Sequence, residues 1–171
     1  TALDTDVIAS GFDAPAYWQM FKKNGAGRVL KSFGRELAIG RKDKAAWADL
    51  IQTKKLTMPD NLYGDICHGI PKENAFDVVM SWSVFEHIPD PQAALSNILR
   101  ALRPGGIFYI SLHLYTSNNG HHDIRAFTGD VNALPLWGHL RPSTCHLITP
   151  SSYLNEWRLS QYRALFSATV P

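Results

Sequence analysis

The chain has 171 residues, a length typical of a single domain. Hydrophobic residues make up 45% of the sequence and charged residues 19%, which excludes an intrinsically disordered chain. The net charge of +2 gives no electrostatic reason to expect a nucleic-acid partner, and no run of about 18 apolar residues is available to cross a membrane.

The first 60 residues predict helices and turns. A helix is expected over residues 14–23, and the glycine-containing segment 24–27 is expected to end it. Residues 28–39 fit either two short strands or a helix broken by a glycine. Residues 44–56 carry apolar side chains at helical spacing and predict a second helix.

The middle of the chain has the clearest pattern. Residues 76–81 and 107–112 are near-continuous apolar runs, as expected for strands covered on both faces. Between them, Asp90 and Pro91 have the composition of a helix start, and the Pro-Gly-Gly segment 104–106 ends the helix. Strand, helix and strand with short connections form a βαβ unit, which makes the two strands parallel. The fold class is therefore α/β.

The last third of the chain begins with a long loop. A loop of this length without periodicity is usually functional, and its histidines and aromatic residues indicate an ordered lid. Thr149 and Pro150 then introduce a final helix. We expect one domain, composed of a helical N-terminal segment (1–60), a βαβ core (61–113), a loop or lid (114–150) and a C-terminal helix (151–167).

Polar side chains follow each predicted strand. Asp65 follows a short strand that begins at Leu62, residues 81–83 follow the next strand, and His113 follows the last. In parallel sheets, ligands bind beyond the carboxyl ends of the strands. These positions are therefore expected to converge on one rim of the sheet.

Residues 64–112 contain several motifs in a fixed order. An acidic residue after a strand is followed by an F-D-x-V strand, a V-x-E-H-x-x-D link, an amphipathic helix and L-x-P-G-G. This order resembles class I S-adenosylmethionine-dependent methyltransferases of the small-molecule type. The motif residues are Asp65, Phe76, Asp77, Val79, Val84, Glu86, His87, Asp90, Leu102, Pro104, Gly105 and Gly106.

The resemblance implies a Rossmann-like fold, with a mostly parallel sheet flanked by helices. It also implies S-adenosyl-L-methionine as cofactor and methyl transfer to a small-molecule or carrier-bound acceptor. Two family features are missing, namely the G-x-G-x-G turn of the N-terminal half and the strand pair after the last helix. We therefore expect a fold that is incomplete at one or both ends, and a partner chain or homo-oligomer that completes it. A non-catalytic methyltransferase-like scaffold that has lost cofactor binding is the alternative.

The resemblance also assigns the cofactor contacts. The carboxylate at Asp65 is expected to accept a hydrogen bond from the adenine amino group, with Ile66 beside it. The segment after the central strand is expected to line the reactive end of the cofactor, and it consists of Ser81, Trp82 and Ser83.

Histidines supply the candidate catalytic groups, because an imidazole titrates near neutral pH. His87 and the adjacent Glu86 are the main base candidates, and His121 and His122 of the loop are further ones. His113, Tyr115 and Trp137 are expected to contact the substrate. The loop histidines also have the chemistry of metal ligands, but their spacing matches no known metal motif, and no metal is assigned.

Location and partners follow from the same composition. Cys67 and Cys145 are expected to be reduced thiols, and the acidic start of the chain is unlike a signal peptide. We expect a cytoplasmic protein that acts on a small-molecule substrate, with no nucleic-acid or membrane partner.

Overall fold

The computed structural model describes residues 2–5, 13–57, 60–70, 72–128, 130 and 132–169, without the side chains of residues 39–44. The chain divides into two compact units, Thr1–Asp65 and Ile66–Pro171. Each unit contains one two-stranded parallel sheet with helices, so the α/β class and the parallel strands are confirmed.

The first unit has the order strand, helix, helix, strand. Its elements are β1 (Ala2–Asp4), α1 (Ala14–Arg35), a π-helical turn (Glu36–Gly40), α2 (Arg41–Lys54) and β2 (Asn61–Tyr63). The two strands pair in parallel, with Leu3 opposite Leu62. The prediction of helices and turns for residues 1–60 is wrong at the start of the chain, because β1 is a strand. It is short, and its pairing partner lies far along the chain, so no local pattern marks it.

The first part of α1 is the helix predicted over residues 14–23. The Asp13 side chain accepts a hydrogen bond from the Ala16 backbone N–H at 3.1 Å, and Pro15 lies in the first turn as expected. The predicted stop at residues 24–27 is confirmed, because Gly25 has non-helical backbone angles (φ 78°, ψ 174°) that divide α1 into two helical segments. This positive φ suits glycine, which lets the first segment end and the chain turn into the second. The segment 28–39 is helical rather than stranded.

The second unit contains the predicted βαβ core. Its elements are β3 (Phe76–Trp82), α3 (Pro91–Ala101), β4 (Leu102–Ser111) and α4 (Leu159–Thr169), with short 3-10 turns at Phe85–His87, Ile124–Phe127, Gly138–Leu140 and Cys145–Leu147. Strands β3 and β4 are parallel, with Trp82 opposite Ser111 at their carboxyl ends. The Asp90 side chain accepts a hydrogen bond from the Ala93 N–H at 2.9 Å, which confirms the predicted helix start.

The core of the second unit lies between α3, α4 and one face of the β3–β4 sheet. Phe85 is fully buried at its centre, where its ring contacts those of Phe108, Tyr162 and Phe166. The predicted apolar stripe of α3 packs into this core. The buried residues of the cluster are Phe85, Ile88, Ala94, Leu95, Ile98, Leu102 and Tyr162.

The opposite face of the β3–β4 sheet is exposed. We call it the open face, and it consists of Val78, Met80, Trp82, Ile107 and Tyr109. Met80 is 67% exposed and Trp82 65%. The expectation that both strands are covered on both faces is therefore wrong. A continuous apolar sequence is typical of strands with helices on both faces of the sheet, and here the helices of the unit pack on one face.

The C-terminal helix starts later than predicted. The expectation of a helix over 151–167 is wrong at its start, because α4 begins at Leu159. The Ser151 N–H donates to the His122 carbonyl at 3.1 Å, and the Asn155 N–H donates to the Glu86 carbonyl at 2.9 Å. These long-range hydrogen bonds replace the helical ones that the local sequence favours. Among the described helices, none is both long enough and apolar enough to span a bilayer.

Candidate functional site

A cluster of histidines lies beyond the carboxyl ends of β3 and β4. The ring of His122 lies 4.9 Å from that of His87 and 4.5 Å from that of His113, measured between centroids. His87 follows β3 and His113 follows β4, whereas His122 comes from the long loop. The structure thus brings together three of the predicted site residues, as expected for groups that follow the ends of parallel strands.

Glu86 is the acidic member of this cluster. Its side chain is only 3% exposed, and neither carboxylate oxygen has a hydrogen-bond partner among the described residues. One ligand-type atom from each of Glu86, His87 and His122 lies within 4.8 Å of the other two. We call these three residues the Glu-His-His cluster.

The turn that carries Glu86 and His87 is fixed by a residue that sequence reasoning missed. The Asn155 side-chain amide donates to the carbonyls of Phe85 at 2.9 Å and Ile88 at 3.0 Å. The Tyr162 hydroxyl in turn donates to the Asn155 side-chain oxygen at 3.0 Å. Asn155 lies in a segment predicted to be helical, so its sequence context gave no signal for this role.

Hydrogen bonding and burial define the protonation of the two histidines. Nδ1 of His87 lies 2.7 Å from the Tyr153 carbonyl oxygen, which only accepts, so this nitrogen carries the proton. Burial lowers the pKa of His122 to about 4, with the nearby His113 and His87 adding to the effect. His122 is therefore neutral at physiological pH.

The predicted residues His121 and Tyr115 belong to a second, separate ring cluster. The His139 ring lies 4.9 Å from that of Tyr115 and 5.0 Å from that of His121. His121 is buried, and its Nδ1 accepts a hydrogen bond from the Asp123 N–H at 2.9 Å. Burial lowers the pKa of His121, with His139 the next cause, and burial also raises the pKa of Tyr115.

Asp123 and Arg125 stabilise the loop that carries these histidines. Asp123 is buried, and its carboxylate accepts from the Arg125 guanidinium at 2.6 and 3.0 Å and from the Thr149 N–H at 2.8 Å. The hydrogen bond from Arg125 is the main reason that the pKa of Asp123 lies well below its usual value. The carboxylate is thus charged and paired, which gives it a structural role in the loop.

The predicted cofactor residues belong to different elements, and Asp65 belongs to a different unit from the others. Ser81 and Trp82 are the last residues of β3 rather than following it, and Ser83 comes next with φ of 49°. The Ser83 N–H donates to the Ser111 carbonyl at 2.9 Å. Asp65 is the last residue of the first unit, whereas Ile66 begins the second unit and packs against its core.

Trp137, the last predicted substrate residue, is 43% exposed and has φ of 50°. Its backbone N–H donates to the Asn118 side chain at 3.0 Å. The same loop contains an open groove of about 640 Å³, which none of the predicted site residues lines. The groove is lined by Asn132, Leu134, Pro135, Leu136, Thr144 and Leu147.

The fold agrees with a comparison of the sequence with known families. The profile of a family described as "Methyltransferase domain" matches residues 15–165. The chain belongs to this methyltransferase family, which confirms the resemblance to class I methyltransferases. No curated protein and no experimentally solved structure matches the chain significantly.

Proposed function

We propose that the protein catalyses S-adenosyl-L-methionine-dependent methyl transfer to a small-molecule or carrier-bound acceptor. Membership of the methyltransferase family supports the reaction class. The single observation that carries the proposal is the Glu-His-His cluster, in which Glu86 and His87 follow the carboxyl end of β3 and His122 comes from the loop after β4. An acid–base group at that edge is what removal of a proton from an acceptor requires.

The cofactor would supply the methyl group as a sulfonium, and the residues at the end of β3 have suitable chemistry for it. Trp82 presents an indole that is 65% exposed, and its ring stacks on that of Tyr109 at 6.2 Å. A sulfonium cation is attracted to such an aromatic face. From the family resemblance we assign cofactor contacts to Asp65, Ile66, Ser81, Trp82 and Ser83.

Acceptor activation is assigned to the Glu-His-His cluster. The Nε2 atom of His87 carries a lone pair because Nδ1 is held protonated by the Tyr153 carbonyl. His122 is the weaker base of the two, because its pKa of about 4 gives it little affinity for a proton at neutral pH. His121 is assigned to positioning the loop instead, since its Nδ1 already accepts a backbone hydrogen bond. His113, Tyr115 and Trp137 are assigned to the acceptor pocket.

The first test is cofactor binding. We expect calorimetric titration with S-adenosyl-L-methionine and with S-adenosylhomocysteine to give saturable binding of one equivalent. The specific observation that favours the alternative, a methyltransferase-like scaffold, is that no G-x-G-x-G turn occurs in the 171 residues. Absence of heat at millimolar cofactor would support the scaffold and overturn the proposal.

The second test is substitution of His87. We predict that His87→Ala slows turnover by about 10²–10⁴-fold, the usual contribution of general acid–base catalysis, while the dissociation constant of the cofactor changes little. His146→Ala is the matched control, because His146 is an exposed histidine of a neighbouring turn. An unchanged turnover of His87→Ala would exclude His87 from the mechanism.

A further inference from the structure

The carboxylate of Glu86 has no compensating partner among the described residues. Glu86 is only 3% exposed, and both of its carboxylate oxygens are shielded from solvent. An unpaired buried carboxylate is unfavourable unless an opposite charge or hydrogen bonds stabilise it. The backbone of Glu86 is held in place, since its carbonyl accepts the Asn155 N–H at 2.9 Å. The backbone therefore holds this carboxylate in a buried place where a positive charge would be stabilising.

The two histidines are prepared to bind a cation. His87 carries its proton on Nδ1, hydrogen bonded to the Tyr153 carbonyl at 2.7 Å, which leaves the Nε2 lone pair available. A backbone carbonyl bound to the other ring nitrogen is a usual way in which proteins orient a metal-binding imidazole. Nε2 of His122 is buried without a hydrogen-bond partner among the described residues. The His122 backbone is anchored through its carbonyl, which accepts from the Ser151 N–H at 3.1 Å and the Ser151 hydroxyl at 2.5 Å.

We propose that Glu86, His87 and His122 bind one divalent transition-metal ion, Zn²⁺ or Fe²⁺. Two imidazoles and one carboxylate are a ligand set common to catalytic zinc sites and to non-haem iron sites, and three protein ligands leave coordination positions open. The candidate ligand atoms lie within 4.8 Å of one another. Bonds of about 2.0–2.2 Å require them to be closer, so side-chain movements of about 1 Å complete the site.

Metal binding at this site does not depend on the proposed methyl transfer. If the acceptor is methylated on oxygen, nitrogen or sulfur, an ion here would bind that atom and favour its deprotonated form. The ion would also occupy the lone pair that His87 needs as a base. If His87 is a metal ligand, a chelator should lower the turnover of the wild type to that of His87→Ala. If His87 is the base, the two proteins should still differ in turnover when the chelator is present.

The test is metal titration of the full chain after chelator treatment and dialysis. We expect one equivalent of Zn²⁺ or, under anaerobic conditions, of Fe²⁺ to bind, and Mg²⁺ to bind much more weakly because it prefers oxygen ligands. Glu86→Gln and His122→Ala should each weaken binding by more than about tenfold, since even outer-shell substitutions cost about 10–100-fold. His146→Ala should leave the affinity unchanged.

A thermal measurement keeps the test independent of variant folding. Glu86→Gln removes the unpaired charge, so we expect the metal-free variant to melt at a higher temperature than the metal-free wild type. Zn²⁺ should raise the melting temperature of the wild type but not that of Glu86→Gln. Absence of stoichiometric metal binding to the wild type would overturn the proposal, as would equal affinity in Glu86→Gln. Neither result would affect cofactor binding, which tests the proposed methyl transfer separately.

Discussion

Among the glycines of the described residues, Gly120 leaves the least room for a Cβ atom. A Cβ atom there would lie 2.1 Å from the Tyr115 carbonyl oxygen and 2.5 Å from that of Leu114. Both contacts are with backbone, which cannot move aside as a flexible side chain would. The close packing holds the start of the histidine-bearing loop, next to His121 and His122.

We predict that Gly120→Ala lowers the free energy of unfolding by about 2–4 kcal/mol, within the range that steric overpacking and backbone strain cause. Gly69→Ala is the matched control in the same unit, because a Cβ at Gly69 would meet nothing within 4 Å. Chemical denaturation of both variants measures the difference. Equal stability of the two variants would contradict the close approach at Gly120.

Asp123 also stabilises the loop that carries the histidines, through its contacts with Arg125 and Thr149. We predict that Asp123→Asn lowers the free energy of unfolding by about 1–3 kcal/mol, because the buried partner of Arg125 loses its charge and one acceptor oxygen. Asp130→Asn is the control, since Asp130 is exposed and its carboxylate accepts only from the Asn132 N–H among the described residues. Urea unfolding followed by circular dichroism gives both values. A loss as large in the control would contradict a special role for the buried carboxylate.

At the scale of elements, α3 depends on its first turn. We predict that Asp90→Ala costs about 1 kcal/mol of stability, because the Ala93 N–H loses its capping acceptor. Asp77→Asn should cost less, since the ion pair of Asp77 with Arg103 is exposed and such pairs contribute little. Parallel thermal denaturation of the two variants decides between them. A larger loss of stability for Asp77→Asn than for Asp90→Ala would contradict the importance of the Asp90 cap.

The elements that the sequence predicted well are those with local signals. Helix α3 has its capping residue, its proline and its apolar stripe within one short segment, and the structure confirms all three. The start of α4 was mispredicted because Ser151 and Asn155 bond to residues far away in the chain. Likewise, the placement of histidines after strand ends was predictable, whereas the burial of Glu86 and the role of Asn155 depend on tertiary contacts.

At the scale of the whole molecule, we expect the exposed apolar residues of the open face to promote self-association. Met80 lies in the middle of this face, beside Tyr109 in the register of the two strands. We predict that Met80→Ser changes the free energy of unfolding by less than about 0.5 kcal/mol, as is usual for exposed positions. It should also reduce self-association, because exposed apolar patches promote it. Denaturation and light scattering measure the two effects.

Phe85→Ala is the contrasting variant for this prediction. Phe85 is fully buried in the core of the same unit, and its truncation should cost about 3–5 kcal/mol. A loss of similar size in Met80→Ser would show that the open face is covered in solution. Comparison of the two variants therefore reports on the cover of the sheet without any structural measurement.

The bonds made by Asn155 have a consequence for the order in which the protein is synthesised. Strand β3, helix α3 and strand β4 leave the ribosome before residue 155 does, and helix α4, which completes their core, leaves after it. The turn with Glu86 and His87 acquires its fixing amide only when Asn155 emerges, 70 residues after Phe85. A nascent chain arrested before this point would lack the side chain that fixes the turn with Glu86 and His87.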